Sequence, residues 1–378
     1  MTDVINGTGV LLHTNLGRAP LAFSSAGRAT NLEMNLATGE RGSRQDAVSR
    51  LIALATGAEA AVVVNNNAAA VMLVLAALAQ GRDVVVSRGE SVEIGGGFRV
   101  PEVMEQSGAR LVDVGTTNRT RLKDYARAVE SKRNDVALVM KVHPSNFSIT
   151  GFTESTSVHD LASLPVPVVV DVGSGLLDSD FGWLHGRLSD VPEWLNLEPS
   201  VASTISHGAD LVTFSGDKLM GGPQCGIIAG RRDLVEACAS HPLMRALRPG
   251  SHTIAMLQRV LLSFIGRTAC DDIPFWSMVT TTVEELERRA LAIAAEAGDT
   301  RQMVRVDRMQ SVVGAGSAPG ATIESAGLTV SGDHRATLRA RSTPIIARTA
   351  DNTTHVDLRT VHPEDDAKVV QALASLAG

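Results

Sequence analysis

The strongest constraint on how this chain folds is a series of short apolar runs that alternate with helical segments between residues 45 and 230. Each run is rich in valine, isoleucine, leucine and alanine, and few of them alternate with polar residues. Short continuous apolar strands separated by helices indicate a mostly parallel sheet that is covered on both faces. The sequence therefore predicts an α/β fold, with strands at residues 60–64, 83–86, 111–114, 137–140, 166–170, 211–214 and 226–229.

The last third of the chain has a different pattern, typical of a smaller α+β domain. It predicts a helix over 279–297, a Gly/Ala/Pro-rich loop over 314–320, a last helix over 363–376, and strands near 304–306, 328–330, 344–347 and 355–358. We expect the domain boundary between residues 248 and 275. The predicted organisation is an N-terminal arm (1–45), a large domain (46–260) and a small C-terminal domain (261–378).

Composition excludes several classes of protein. With 378 residues and 44% hydrophobic residues, the chain has enough apolar surface for a core and is not disordered. Its longest apolar run, residues 68–79, is shorter than the roughly 20 residues of a membrane-spanning helix, so we expect no membrane segment. We also expect no signal peptide. Three widely spaced cysteines form neither a disulfide framework nor a zinc site and indicate the cytosol. A net charge of −6 and 3% aromatic residues do not favour nucleic-acid binding.

One of five lysines has a setting that suggests chemistry. Lys218 lies in the sequence SGDKLMGG, directly after a predicted buried strand that ends near Ser215. Cofactors bind at this edge of open α/β sheets, and a lysine there can form a Schiff base with pyridoxal 5′-phosphate. The alternative is an ordinary surface turn. Lys123, Lys132 and Lys368 lie in charged or terminal stretches and are expected on the surface.

Two further features favour a pyridoxal phosphate site. Asp171 follows the apolar run Val168–Val170, where a carboxylate rarely lies without a partner, and it is the candidate for pairing the pyridine nitrogen. The alternative is a helix cap or a turn. Asn66, Asn67 and Ala68 open a predicted helix whose backbone N–H groups would bind the cofactor phosphate, although simple capping by asparagine also accounts for them.

A third feature follows another predicted strand. His143 and Asn146 lie in the sequence VHPSN, where the imidazole would stack on the cofactor ring and the amide would bond its 3′ oxygen. Because the chain has a single tyrosine, Tyr125, a histidine is the more plausible stacking group. The alternative is a turn that uses proline and asparagine for local geometry.

Arginines form a second candidate site. Arg245 and Arg248 are three residues apart, and on a helix they would share a face and clamp a tetrahedral anion. Arg18 is a third candidate for the same anion. The alternative for this spacing is a solvated helix face.

The motifs that contain these residues resemble those of bacterial selenocysteine synthase, the L-seryl-tRNA(Sec) selenium transferase family. The resemblance covers most of residues 4–260, in the same order, and is much weaker beyond residue 265. It rests on 4–21 (VINGTGVLLHTNLGRAPL), 41–44 (RGSR), 64–71 (VNNNAAAV), 87–96 (SRGESVEIGG), 114–120 (VGTTNRT), 171–175 (DVGSG), 215–224 (SGDKLMGGPQ) and 241–248 (HPLMRALR).

This resemblance implies a fold-type I, aspartate aminotransferase-like, pyridoxal phosphate enzyme. Lys218 matches the Schiff-base lysine, and Asp217 beside it matches an active-site acid. Asp171 matches the partner of the pyridine nitrogen. Three arginines match those that hold the phosphate of the selenium donor, namely Arg18, Arg245 and Arg248.

The implied reaction converts seryl-tRNA(Sec) to selenocysteinyl-tRNA(Sec) with selenophosphate, through an aminoacrylyl intermediate. The implied assembly is a homo-oligomer, at least a dimer and in the family a larger ring. Because the catalytic motifs begin almost at Met1, we expect this chain to lack the family's N-terminal tRNA-binding domain and to bind tRNA weakly. Two alternatives stay open: a related lyase or aminotransferase-like enzyme acting on a small amino acid or amino sugar, and a non-catalytic tRNA- or protein-binding relative.

Overall fold

A computed structural model describes residues 2–22, 30–94, 97–145, 147, 149, 151–184, 186–188, 190–297, 304–314 and 316–376. The chain divides into two compact units. The large unit comprises residues 19–273 and 316–319, and the small unit comprises residues 1–18, 274–315 and 320–378. Both units are built from strands and helices around their own apolar cores.

The first two strands of the chain, β1 (Ile5–Gly7) and β2 (Val10–Leu12), belong to the small unit. The elements of the large unit then follow in chain order: α1 (Asp46–Thr56), β3 (Ala60–Val64), α2 (Asn67–Ala79), β4 (Asp83–Ser87), β5 (Glu93–Ile94), β6 (Phe98–Arg99), α3 (Val100–Ser107), β7 (Arg110–Val114), α4 (Leu122–Glu130), β8 (Val136–Val142), α5 (Val158–Leu161), β9 (Val168–Gly173), α6 (Glu193–Leu197), α7 (Val201–Ser206), β10 (Leu211–Ser215), β11 (Gly226–Gly230), α8 (Arg232–Ser240), α9 (Leu243–Ala246), α10 (Ser251–Ile265) and α11 (Ala269–Asp272).

The large unit is organised around a seven-stranded sheet with the order β3-β11-β10-β9-β8-β4-β7. Neighbouring strands from β10 to β7 run parallel, whereas β11 is antiparallel to both β10 and β3. The predicted strands of this unit are all present, and the prediction of a mostly parallel sheet is confirmed. Helix-linked parallel strands explain why their sequences are continuously apolar.

Helix α2 occupies the centre of this unit and is apolar on all sides, as expected for a helix buried in the core. At its start, β11 passes very close to the preceding turn. A Cβ atom on Gly226 would lie 2.1 Å from the carbonyl oxygen of Asn66. Glycine is therefore required at this position, because any side chain would push the strand away from the turn.

The parallel strands place several predicted site residues at one edge of the sheet. Asp171 lies near the carboxyl end of β9, His143 follows β8, and the segment with Lys218 follows β10. Carboxyl ends of neighbouring parallel strands meet at a common edge, which is the usual position of ligand sites in open α/β sheets. The topology alone thus brings these three residues together across 75 residues of sequence.

The small unit continues with α12 (Pro274–Thr280), α13 (Val283–Glu296), β12 (Val304–Gly314), β13 (Thr322–Ser331), α14 (Arg335–Arg339), β14 (Ile345–Ala350), β15 (Thr353–Asp357) and α15 (Asp366–Ala374). Its sheet has the order β1-β14-β15-β13-β12-β2, antiparallel except for the two outer pairs. Apolar side chains from α13 and α15 pack with those of the sheet in one core. The α+β character predicted for this part of the chain is therefore present.

The structure differs from the predicted organisation in several respects. The large unit includes residues 19–45, which were expected in the arm, and residues 261–273 and 316–319, which were expected in the small domain. Residues 5–12 were expected in an arm that ends at residue 45, but β1 and β2 pair with β14 and β12 and are strands of the small unit. The single helix expected over 279–297 is two helices, because the Thr282 side chain accepts a hydrogen bond from the N–H of Glu285 and begins α13. Of the described helices, none is long and apolar enough to cross a membrane.

Candidate functional site

Lys218 lies in a tightly folded segment between β10 and β11. The segment is closed by backbone hydrogen bonds from Gly221 N–H to the Lys218 carbonyl (2.8 Å) and from Gly222 N–H to the Gly216 carbonyl (2.8 Å). A third bond, from Leu219 N–H to the Ser174 carbonyl (2.9 Å), ties the segment to the end of β9. The backbone around Lys218 is thus fixed before any ligand binds.

Burial separates Lys218 from the other lysines. All five lysines lie in the described part of the chain, and Lys218 is the buried one, with 6% of its surface exposed. Lys141 also lies near the carboxyl edge of the sheet, but its Nζ forms an ion pair with Glu90 Oε1 at 2.7 Å. The three lysines expected on the surface are exposed. Burying an ammonium is costly, so a buried lysine in a cleft is a candidate for chemistry.

The Asp171 side chain is buried, and one of its two carboxylate oxygens accepts hydrogen bonds. Its Oδ1 accepts hydrogen bonds from Asn67 Nδ2 (2.7 Å) and Thr213 Oγ1 (3.0 Å), whereas no described residue donates to Oδ2. Burial raises the pKa of Asp171 above its ordinary value, and the two hydrogen bonds and the nearby Lys218 only partly oppose this. The carboxyl group is thus held in place with one oxygen available and with a strengthened affinity for a proton.

The three residues that open α2 have different roles. Asn66 caps the helix, since its side chain accepts a hydrogen bond from Ala69 N–H at 2.9 Å, which is the capping alternative. Asn67 instead reaches across to Asp171, and its own Oδ1 is buried with no partner among the described residues. The N–H groups of Asn67 and Ala68 lie in the first turn, where helix geometry leaves them without an acceptor inside the helix. They stay candidates for binding an anion.

His143 is held by a buried carboxylate that the sequence did not single out. Its Nε2 lies 3.3 Å from Glu198 Oε2, and its backbone N–H donates to the Asp171 carbonyl at 2.9 Å. Glu198 in turn accepts a hydrogen bond from Ala318 N–H at 3.5 Å through its other oxygen. The ring of His143 is therefore fixed in orientation near Asp171. Asn146, which was predicted to bond the 3′ oxygen of the cofactor, lies outside the described residues.

A segment from late in the sequence also belongs to this site. Residues 316–319 are part of the large unit, and a Cβ atom on Gly316 would lie 3.1 Å from both Cε and Nζ of Lys218. In the part of the chain that the structure describes, no residue hydrogen-bonds to the buried hydroxyl of the neighbouring Ser317 or to that of Ser174. The sequence predicts only a loop here. Its glycines were the available signal, since glycine permits close approach of the backbone to a ligand or side chain.

Ser215 and Asp217 flank the lysine segment. Both are buried, and Ser215 is the last residue of β10. The Asp217 carbonyl accepts a hydrogen bond from Ala19 N–H at 3.3 Å. Burial raises the pKa of the Cys225 thiol, and the nearby Asp217 carboxylate raises it further. Cys225 is thus an inert core thiol, and the role of Asp217 as an active-site acid stays a prediction.

The arginines do not form the helical pair predicted from their spacing. Arg245 is exposed in the last turn of α9, but that helix ends at Ala246, and Arg248 lies beyond it. Arg248 approaches Glu33, with Nη1 and Oε1 3.8 Å apart. Arg18 belongs to the small unit and has a left-handed backbone conformation (φ 64°).

Comparison with known proteins identifies the family. The sequence profile of the SelA family, described as L-seryl-tRNA selenium transferase, matches residues 4–362. The chain belongs to this family. Curated relatives named L-seryl-tRNA(Sec) selenium transferase include those of Moorella thermoacetica (44% identical, 99% of this chain and 81% of that protein) and Alkaliphilus oremlandii (43%, 98% and 81%). The relative from Hyphomonas neptunium is 43% identical, covering 100% of this chain and 83% of its own length.

A solved structure agrees with the fold. D-Glucosaminate-6-phosphate ammonia-lyase superposes with a TM-score of 0.65 at 21% identity, covering 100% of this chain and 96% of that one. The resemblance inferred from the motifs is confirmed, and so is the fold class: an α/β, fold-type I architecture of the pyridoxal phosphate-dependent enzymes. At this identity the likeness to the ammonia-lyase concerns the fold.

Proposed function

We propose that this chain catalyses the reaction for which its family is named, the conversion of seryl-tRNA(Sec) to selenocysteinyl-tRNA(Sec). The observation that carries the proposal is the match over nearly the whole chain to curated transferases, joined to a buried lysine at the carboxyl edge of the sheet. The cofactor is pyridoxal 5′-phosphate. When bound, it supplies an electron sink that stabilises negative charge at the Cα atom of the serine.

The residues around Lys218 fit this cofactor. Lys218 Nζ is the amine for its aldehyde, and Asp171 has an oxygen available for its ring nitrogen. The N–H groups that open α2 suit its phosphate. Three of the buried polar atoms that have no partner among the described residues lie here, on Asn67, Ser174 and Ser317, and a polar ligand would satisfy them.

The side chains have distinct tasks in this proposal. Asp171, whose pKa is raised by burial, holds a proton at the ring nitrogen. The Lys218 amine would remove the Cα proton and return a proton later as acid. His143, whose ring is fixed by Glu198, would stack on the cofactor ring. Ser215 and Asp217 complete the wall beside the lysine, and Asn66 fixes the turn that carries the phosphate-binding groups.

The selenium donor is proposed to be selenophosphate, bound through Arg18, Arg245 and Arg248. A tetrahedral anion with several negative oxygens suits guanidinium groups, which donate paired charge-assisted hydrogen bonds. Arg245 is exposed in the single chain. In fold-type I enzymes a second subunit usually completes each site, and we propose at least a homodimer. Buried thiols at Cys225, Cys238 and Cys270 suit a cytosolic location.

One experiment separates the transferase from the lyase or aminotransferase-like alternative. The purified protein is given seryl-tRNA(Sec), free serine or an amino sugar phosphate, and release of ammonia and oxo acid is measured beside selenium transfer to tRNA. We expect product from seryl-tRNA(Sec) and no turnover of the free compounds above that of a Lys218→Ala variant. Turnover of a free amino compound, with seryl-tRNA(Sec) inert, would replace the transferase proposal with the lyase.

A further inference from the structure

Glu33 gathers three arginine side chains of the large unit. Its Oε2 accepts from Arg41 Nη2 at 2.7 Å, and its Oε1 accepts from both Nε (2.9 Å) and Nη2 of Arg44. The third is Arg248, whose Nη1 lies 3.8 Å from the same Oε1. At that distance Glu33 attracts Arg248 by charge but accepts no hydrogen bond from it. The pKa of Glu33 is held below its ordinary value by Arg44 and then Arg41, so the carboxylate stays charged.

Arg44 also holds the backbone that carries Arg248. Its Nη1 donates to the Pro249 carbonyl at 3.2 Å, while its other nitrogens bind Glu33. On the other side of Arg248, the Leu247 carbonyl accepts from Asn65 N–H at 3.0 Å. Both neighbours of Arg248 are therefore tied down, one by Arg44 and one by the turn that opens α2.

Arg44 itself is anchored to the sheet through the next residue. The Gln45 side chain forms two hydrogen bonds with Val63 of the edge strand β3, one from Nε2 to the carbonyl (2.8 Å) and one from the N–H to Oε1 (2.7 Å). The Arg44 side chain is 18% exposed, whereas that of Arg41 is 78% exposed and, among the described residues, hydrogen-bonds to Glu33. Of the two arginines in the RGSR motif, Arg44 is thus the rigid one.

We propose that Arg44 and Glu33 are positioning residues that aim Arg248 at the anionic donor. Arg44 fixes the backbone of Arg248, and Glu33 restrains its guanidinium by charge. The cluster opens onto a cavity of about 670 Å³ that these arginines line, so there is room for an anion beside them. This inference rests on the proposed function in one respect, the binding of the donor anion by Arg248.

The opposite role for Glu33 makes a different prediction. A carboxylate among arginines can also act as an internal competitor, and its removal would then strengthen anion binding. The 3.8 Å separation from Arg248, and the use of Arg44 as a bridge to Pro249, favour positioning.

The test compares Arg44→Gln and Glu33→Gln with the matched variant Arg41→Gln in the full chain loaded with cofactor. With seryl-tRNA(Sec) saturating, the KM for selenophosphate and the inhibition constant of inorganic phosphate are measured together with kcat. For the first two variants we expect both constants to rise about tenfold, with kcat within about threefold of wild type. Arg41→Gln should stay within about twofold, since it removes charge near Glu33 but no bond to Pro249.

Equal effects of Arg41→Gln and Arg44→Gln would overturn the bridging role, and a lower KM in Glu33→Gln would make Glu33 a competitor. A fall in kcat without a change in KM would also contradict positioning. If Arg44→Gln does not fold, Arg44→Lys replaces it, because lysine keeps the positive charge but cannot bridge Glu33 and the Pro249 carbonyl. Arg44→Lys should raise the KM for selenophosphate and the inhibition constant of phosphate as much as is expected of Arg44→Gln. If the wild type transfers no selenium, the proposed function fails, but the positioning roles of Arg44 and Glu33 can still be tested. Calorimetry then measures the dissociation constant of inorganic phosphate for the same variants.

Discussion

At the scale of single residues, the Asn67–Asp171 contact connects the two ends of the cofactor site. Asn67 lies in the first turn of α2, and its amide donates to Asp171 Oδ1 from a position 104 residues earlier in the sequence. The sequence indicates each residue as a candidate for a different part of the cofactor. Their hydrogen bond is a product of strand order, since β9 lies near the start of α2 only once the sheet has formed.

The raised pKa of Asp171 has a consequence for stability. The pKa of this carboxyl group is higher in the folded state than its unfolded value of about 3.9. Its contribution to the free energy of unfolding is therefore fully present below the unfolded pKa and is lost as pH rises through the folded pKa. Asparagine is neutral at every pH. We therefore expect cofactor-free Asp171→Asn to resist urea better than cofactor-free wild type at pH 7.5, with a smaller difference at pH 4.

The same variant should lose activity. Asparagine cannot hold a proton at the ring nitrogen, and we expect turnover to fall about hundredfold while the cofactor still binds. Steady-state rates and the absorbance of the bound cofactor measure the two effects. Unchanged turnover in Asp171→Asn would show that this carboxyl group does not act on the ring nitrogen.

The lysine assignment has a direct chemical test. Borohydride reduction of the enzyme with its cofactor should leave a stable adduct, and peptide mapping should place it on Lys218. Lys141 is the natural competitor because it lies near the carboxyl end of strand β8, but its ion pair with Glu90 at 2.7 Å keeps it occupied. An adduct on Lys141, or the same adduct yield in Lys218→Ala, would refute the assignment.

At the scale of elements, residues 316–319 are the part of the site that sequence patterns could not place. The stretch predicts a loop, and only the folded chain shows Gly316 against Lys218. Gly316 has a φ of +90° and Gly320 a φ of +80°, so alanine at either position costs about 1–2 kcal/mol of backbone strain. A Cβ on Gly320 meets nothing within 4 Å, which makes it a matched control.

We expect Gly316→Ala to lower turnover about tenfold, because its methyl group would displace Lys218 Nζ by a fraction of an ångström from its working position. Gly320→Ala should show a similar loss of stability with activity close to wild type. Thermal unfolding and steady-state rates of both variants check this. Equal loss of activity in the two variants would mean that backbone strain, rather than contact with the lysine, is responsible.

Element prediction succeeded where the signal was local. Strand β3 was predicted at its observed bounds, because five apolar residues between turn signals have few alternative structures. Strands β1 and β2 were missed because each has three residues and pairs with strands more than 300 residues later. The predicted Arg245–Arg248 helix face failed for a local reason, since α9 is only four residues long. No sequence pattern predicts the contacts of Glu33 with Arg44 and Arg248, because they join segments that are distant in the chain.

At the scale of the whole molecule, the described residues proposed to hold the cofactor all lie in the large unit. Arg18, which we propose binds the donor anion, belongs to the small unit. The chain spans about four fifths of the length of the curated relatives it matches. The sequence was sufficient for the fold class and the family, since these depend on strand pattern and on motifs that are contiguous in the chain. The role of Lys218 stays a prediction.

The most direct test of the account is transfer of selenium to tRNA by the purified chain. Seryl-tRNA(Sec) and radiolabelled selenophosphate are incubated with the protein and its cofactor, and label in the deacylated amino acid is measured beside seryl-tRNA(Ser) and the Lys218→Ala variant. We predict labelled selenocysteine only when wild-type protein with its cofactor is given seryl-tRNA(Sec), and none with seryl-tRNA(Ser) or with Lys218→Ala. Label that appears equally with Lys218→Ala, or no label with wild type that carries bound cofactor, would contradict the account.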